Sequence, residues 1–167
     1  MKLLDEILAE LEQAIERLNE ERERDGMLRL SKAQIKVLGQ FSLLADEQFS
    51  ASISLAATID LDAIIEGEWI IEEELRKILK NKGLVFDELS REIWIPEGSK
   101  FLPYYESNRI KCMYLDPFAV IVSKAVKARE KNRLLVRDAI DFYGERLSRE
   151  IRKYNVDTEY FTKDDDR

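Results

Sequence analysis

The chain has 167 residues, 45% of them hydrophobic and 37% charged, a balance that supports one folded domain with its own core. It carries a formal net charge of −7, a single cysteine and no histidine. These counts exclude an intramolecular disulfide, His-ligated zinc and every nucleophile–histidine pairing; they argue against nonspecific grip on a nucleic-acid backbone, and leave carboxylates, Lys, Tyr or a bound metal for any chemistry.

No apolar run approaches the roughly 20 residues of a membrane span. The N-terminus, Met1-Lys2-Leu3-Leu4-Asp5-Glu6, turns acidic at once, unlike a secretory signal. With Cys112 as the lone thiol, a reducing cytoplasm is the expected compartment.

Residues 2–24 are predicted to form an amphipathic helix, because Leu4, Leu8, Leu11, Ile15 and Leu18 recur at alternating spacings of four and three. Asp25-Gly26 ends it. The apolar stripe serves either the domain's own core or a protein partner, such as a second copy in a homodimer. Residues 28–46 read two ways. Ser31-Lys32-Ala33-Gln34 matches a capping box and argues for a helix, whereas Ile35-Lys36-Val37-Leu38-Gly39 alternates like a short strand ending in a turn. Residues 49–55, rich in Ser and Ala, read as a connection.

Residues 57–65, Ala-Thr-Ile-Asp-Leu-Asp-Ala-Ile-Ile, are predicted to form one strand. Side chains alternate across a strand, so Asp60 and Asp62 share a face while Ile59, Leu61, Ala63 and Ile65 share the other. Two residues of rise separate the acids by roughly 7 Å along the backbone, close enough to converge on bound Mg²⁺. The alternative is a solubilising pair at the wet end of a sheet.

A helix follows over 69–82, closed by Gly83. Short strands are expected at 84–86 and 93–95, with a turn at Pro96-Glu97-Gly98-Ser99. A further strand is expected over 109–115. Asp116 and Pro117 then start a helix to about residue 129, and another runs from about 132 to 146 or beyond. Residues 1–154 thus read as one α+β (mixed α/β) domain, a small mixed sheet flanked by helices, followed by a disordered tail over 155–167.

Three segments carry a family resemblance. They are Gly39-Gln40-Phe41-Ser42, Thr58-Ile59-Asp60-Leu61-Asp62, and Leu115-Asp116-Pro117-Phe118-Ala119-Val120-Ile121-Val122-Ser123-Lys124 with the charged stretches Ala128-Arg129-Glu130-Lys131 and Arg137-Asp138-Ala139. In this order they resemble the polymerase-β-type minimal nucleotidyltransferases, in the small bacterial group that includes toxin–antitoxin proteins. The resemblance favours a strand at 34–38, a turn at Gly39 and a helix after it. It implies that Asp60 and Asp62 are the catalytic pair and hold Mg²⁺ against a nucleoside triphosphate. It places Gly39, Gln40, Ser42 and Lys124 on the phosphates. The expected activity is transfer of a nucleotidyl group to a hydroxyl acceptor. The third acid of the superfamily pattern has no evident counterpart, since Glu92 follows Arg91 and Glu97 falls in a turn. The rival reading is therefore a catalytically inactive member of that fold, acting as a binding module such as a toxin–antitoxin component.

Overall fold

The alternation at residues 33–37 resolves as a strand. In the computed structural model, which describes residues 1–163, β1 (Ala33–Val37) lies inside a four-stranded sheet of order β3-β1-β6-β5, with β3 (Ala63–Glu66), β5 (Phe101–Glu106) and β6 (Ile110–Leu115). It runs antiparallel to β3 and parallel to β6, and β5 is antiparallel to β6. A strand paired along both edges has no backbone to spare for a capping box, so the β-branched alternation prevails. Ala33, Ile35 and Val37 are buried on one face, leaving Gln34 and Lys36 half-buried on the other. The fold is mixed α+β.

Two helices cover the apolar face, α1 (Lys2–Arg24) and α4 (Trp69–Asn81). Leu4, Ile7, Leu8, Leu11 and Ile15 of α1 are all buried in one cluster with Ile71, Leu75 and Leu79 of α4. Each such side chain contributes about 1.5–3 kcal/mol by leaving water. The stripe is thus spent inside the fold. Of the two uses open to it, this stripe serves the domain's own core.

The second cluster forms around α5 (Pro117–Lys127), whose start is capped by Asp116 accepting from the Phe118 amide at 2.9 Å. Against it pack α2 (Gly39–Ala45), α3 (Glu47–Ser52), α6 (Arg133–Tyr143), α7 (Glu145–Arg152) and α8 (Glu159–Thr162). Gly144, at φ 73°, breaks the helix expected beyond residue 132 into α6 and α7. Helix α3 occupies a stretch expected to be a connection, because Asp46 accepts from the Phe49 amide and buried Phe49 anchors it.

The tail departs from expectation as well. Residues 155–163 are ordered: Phe161 is fully buried in the second cluster, and Arg137 Nε donates to its carbonyl at 3.0 Å. Arg129 and Arg133 stack on Tyr160 at 4.9 and 5.2 Å from the ring centroid. An aromatic pair and three arginines outweigh the polar composition around them. Residues 164–167, the end of the expected disordered tail, lie outside the described residues.

Two strand expectations are also corrected. The strand over 57–65 is two strands, β2 (Asp60–Leu61) and β3, parted at Asp62. β2 leaves the main sheet and pairs in parallel with β4 (Val85–Phe86) as a separate ribbon. Ile93-Trp94-Ile95 is not a strand; it follows a 3-10 turn at Ser90–Glu92 in extended, unladdered backbone.

Candidate functional site

The change of sheet at Asp62 is what assembles the site. In the β2–β4 ribbon Asp60 stands opposite Val85 and Leu61 opposite Phe86, so the next step of the register sets Asp62 beside Asp87. Four hydrogen bonds fix that step. The Leu38 amide donates to the Asp62 carbonyl at 2.8 Å, and the Asp87 amide donates to the Leu61 carbonyl at 3.0 Å. Buried Ser90 bridges the two strands: its Oγ donates to the Asp87 carbonyl at 2.6 Å and accepts from the Ala63 amide at 3.0 Å. Asp87 Oδ1 accepts from the Leu89 amide at 2.9 Å, which orients its carboxylate.

The Asp62 carboxyl lies close enough to that of Asp87 to feel it directly. The half-buried Asp62 carboxyl is raised from 3.8 to about 7, first by burial, then by the hydrogen bond and charge of Asp87; Asp60 adds to the rise and Lys124 opposes it. Lys124, on the last turn of α5, is itself lowered by burial, while Asp62 raises it and Lys131 lowers it again. These acids and lysines line a cleft of about 660 Å³ that Asp60 and Gln40 also face. Asp60 is exposed, and its amide is held by Thr58 Oγ1 at 3.2 Å. The pair in contact is therefore Asp62 with Asp87, and Asp60 completes the acidic lining from the rim.

Around Gly39 the arrangement differs from expectation. Its φ is 58°, and a Cβ placed there would lie 2.4 Å from Asp62 Oδ2. The close approach that the glycine permits is made by a carboxylate of the chain itself. Ser42 is corrected outright. It is fully buried, with Oγ donating to the Val37 carbonyl at 2.6 Å and accepting from the Leu115 amide at 3.0 Å. It stitches the ends of β1 and β6 together and has no access to a ligand. Gln40 Nε2 donates to the Ala56 carbonyl at 2.8 Å, which pins the segment leading to Asp60 against α2.

Asp87 is the acid that sequence reasoning missed. Its signal is an apolar run ending in a carboxylate, Leu84-Val85-Phe86-Asp87, the same form as Ile59-Asp60-Leu61-Asp62. Only the ribbon pairing shows that the two runs end side by side.

No family model, curated protein or solved structure matches the chain. What the site can hold is read from its own donors. Carboxylate oxygens are hard ligands of the kind Mg²⁺ takes. Among the described residues, no group of three or more His, Cys, Asp or Glu side chains lies close enough to hold a metal ion. No helix among the described residues is long and apolar enough to cross a membrane.

Proposed function

We propose that this chain binds a nucleoside triphosphate with Mg²⁺ in the acidic cleft and transfers the nucleotidyl group to a hydroxyl acceptor. The observation that carries the reading is the juxtaposition of the half-buried Asp62 and Asp87 carboxyls with Lys124 in a cleft rimmed by Asp60. A cluster this acidic repels a bare triphosphate, so the ligand that fits is an anion arriving with a divalent cation.

Asp60 and Asp62 are the residues to hold Mg²⁺, which when bound neutralises phosphate charge. Lys124 places one positive charge beside the leaving phosphates. Asp87, oriented by the Leu89 amide, takes the proton of the acceptor hydroxyl. That oxygen forms the new bond to the α-phosphorus as the bond from the α-phosphorus to the bridging oxygen breaks, and pyrophosphate leaves with the electron pair. Gly39 supports the site by leaving room for the Asp62 carboxylate.

A second reading has an observation in its favour. The close approach at Gly39 is made by a carboxylate of the chain itself, as a fold retained for binding alone would allow. One experiment separates the two. Nucleoside triphosphates with Mg²⁺ are screened for thermal stabilisation and pyrophosphate release, using wild type, Asp60→Ala and Asp87→Asn. The transferase reading expects stabilisation of wild type that Asp60→Ala loses, and release that Asp87→Asn slows by about 100-fold or more. No stabilisation of wild type by any triphosphate overturns it in favour of the binding module.

A further inference from the structure

A second cavity, of about 500 Å³, adjoins the acidic cleft and shares with it Asp62, Lys124, Lys131 and Asn132 as a common wall. Its character is opposite. The acidic cleft carries Asp60, Asp62, Asp87 and Asp138 against two lysines. The second cavity carries Lys124, Lys127 and Lys131 against Asp62 and Glu92, and Asp62 is already engaged with Asp87. In a chain of net charge −7, that local excess of positive charge needs a reason.

The three lysines are spaced to line one side of the α5 C-terminus and the turn after it. Among the described residues none of the three is in an ion pair, whereas Lys32, Lys36, Lys77, Lys82 and Lys153 each pair with a glutamate. Lys127 Nζ stands 5.6 Å from the centroid of the Trp94 ring. The segment Ile93-Trp94-Ile95 adds an apolar lining. This is the stretch expected to be a strand, and its freedom from the sheet is what lets it form a wall. It is nonetheless held: Ser123 Oγ on α5 donates to the Trp94 carbonyl, and Tyr154 packs edge-on to the Trp94 ring at 4.9 Å.

We propose that this pocket holds the acceptor, and that the acceptor is a small molecule with a flat aromatic body and an anionic group. The body lies along Trp94 and Ile95, and the anion takes Lys127 and Lys131, which no carboxylate among the described residues claims. The pocket is of the size that encloses a small ligand. Its shared wall puts the acceptor's hydroxyl next to Asp62, where its oxygen forms the bond to the α-phosphorus, pyrophosphate departs and Asp87 receives the proton. The acceptor role rests on the proposed transferase activity; the aromatic-anion site does not.

The test uses the full chain with Trp69→Phe, an exposed position, so that Trp94 is the sole tryptophan. Phenyl phosphate is titrated while Trp94 emission is read. The expected result is a saturable change, with phenol at least about tenfold weaker and with Lys127→Gln and Lys131→Gln each weakening phenyl phosphate by about tenfold. No saturable change, phenol binding as tightly as phenyl phosphate, or lysine variants that bind like their parent overturns the site. Repeating the titration with a saturating nucleoside triphosphate and Mg²⁺ addresses the role. Simultaneous binding supports an acceptor pocket, while mutual exclusion overturns it and gives the pocket to the nucleotide. If phenyl phosphate binds and no triphosphate does, the acceptor role falls with the transferase reading. If a triphosphate binds and phenyl phosphate does not, this inference alone falls.

Discussion

Gly39 and Asp62 compete for the same few ångströms, and the glycine yields. A side chain there would be strained twice, by the left-handed φ of 58° and by the carboxylate 2.4 Å away. Gly39→Ala is expected to lower stability by about 2–4 kcal/mol in denaturant unfolding. In Gly39→Ala/Asp62→Ala the steric part is relieved, leaving about 1 kcal/mol for the backbone, so the cycle shows positive coupling. Asp62 also fixes a pH dependence. Its native carboxyl titrates near 7 against 3.8 for the ordinary side chain, so the native state binds more protons between those values. Its stabilising contribution is full below about pH 4 and is lost as pH rises through 7. With a chelator present, Asp62→Asn is expected to melt higher than wild type at pH 8, by about 2 kcal/mol of stability, with the gain vanishing towards pH 4. At this scale the chain was half legible. An Asp-x-Asp run and a lysine on a helix show themselves as patterns. Asp87 does not, because its neighbourhood is made by pairing strands two residues long. Ser42 misled because a serine just inside a helix suits both phosphate binding and backbone stitching, and only burial decides between them.

Among the elements, those with a long period were readable. α1, α4 and α5 follow from their apolar stripes and end signals, and β6 from its alternation. The misread elements are short or change partner within a few residues. β2 and β3 read as one strand because alternation continues through Asp62 even though the sheet does not. β5 escaped notice because it carries Pro103, which the outer strand of the sheet tolerates. The tail was misread because two aromatic residues supply its anchor. Phe161→Ala is expected to destabilise the chain by about 3 kcal/mol, measured by denaturant midpoint, whereas an unanchored tail would show no change. Ser42→Ala leaves the buried Leu115 amide without its acceptor and is expected to reduce stability by about 1–3 kcal/mol while triphosphate affinity stays unchanged.

For the molecule as a whole, two apolar clusters meet beneath the site. Leu61 belongs to the one under α1 and α4, and Ile64, on the far side of Asp62, packs against the one around α5. The acids thus sit where two packed bodies join. The alternation of helices with short strands foretold an α+β domain, but nothing in it distinguishes a helix stripe used internally from one offered outward. Leu11→Glu tests the difference. Buried fully in the first cluster, it is expected to abolish the cooperative thermal transition, whereas a partner-facing seam would leave a folded monomer.

The ribbon of β2 and β4 is only two residues long on each side, yet it alone brings Asp87 to Asp62. So short a ladder opens by local fraying well before the main sheet unzips. In deuterated buffer the amides of Val85 and Asp87 should therefore exchange far earlier than those of β1. Mg²⁺ held by Asp60 and Asp62, as proposed, would steady the β2 side of the ribbon, so adding Mg²⁺ should slow those two amides selectively.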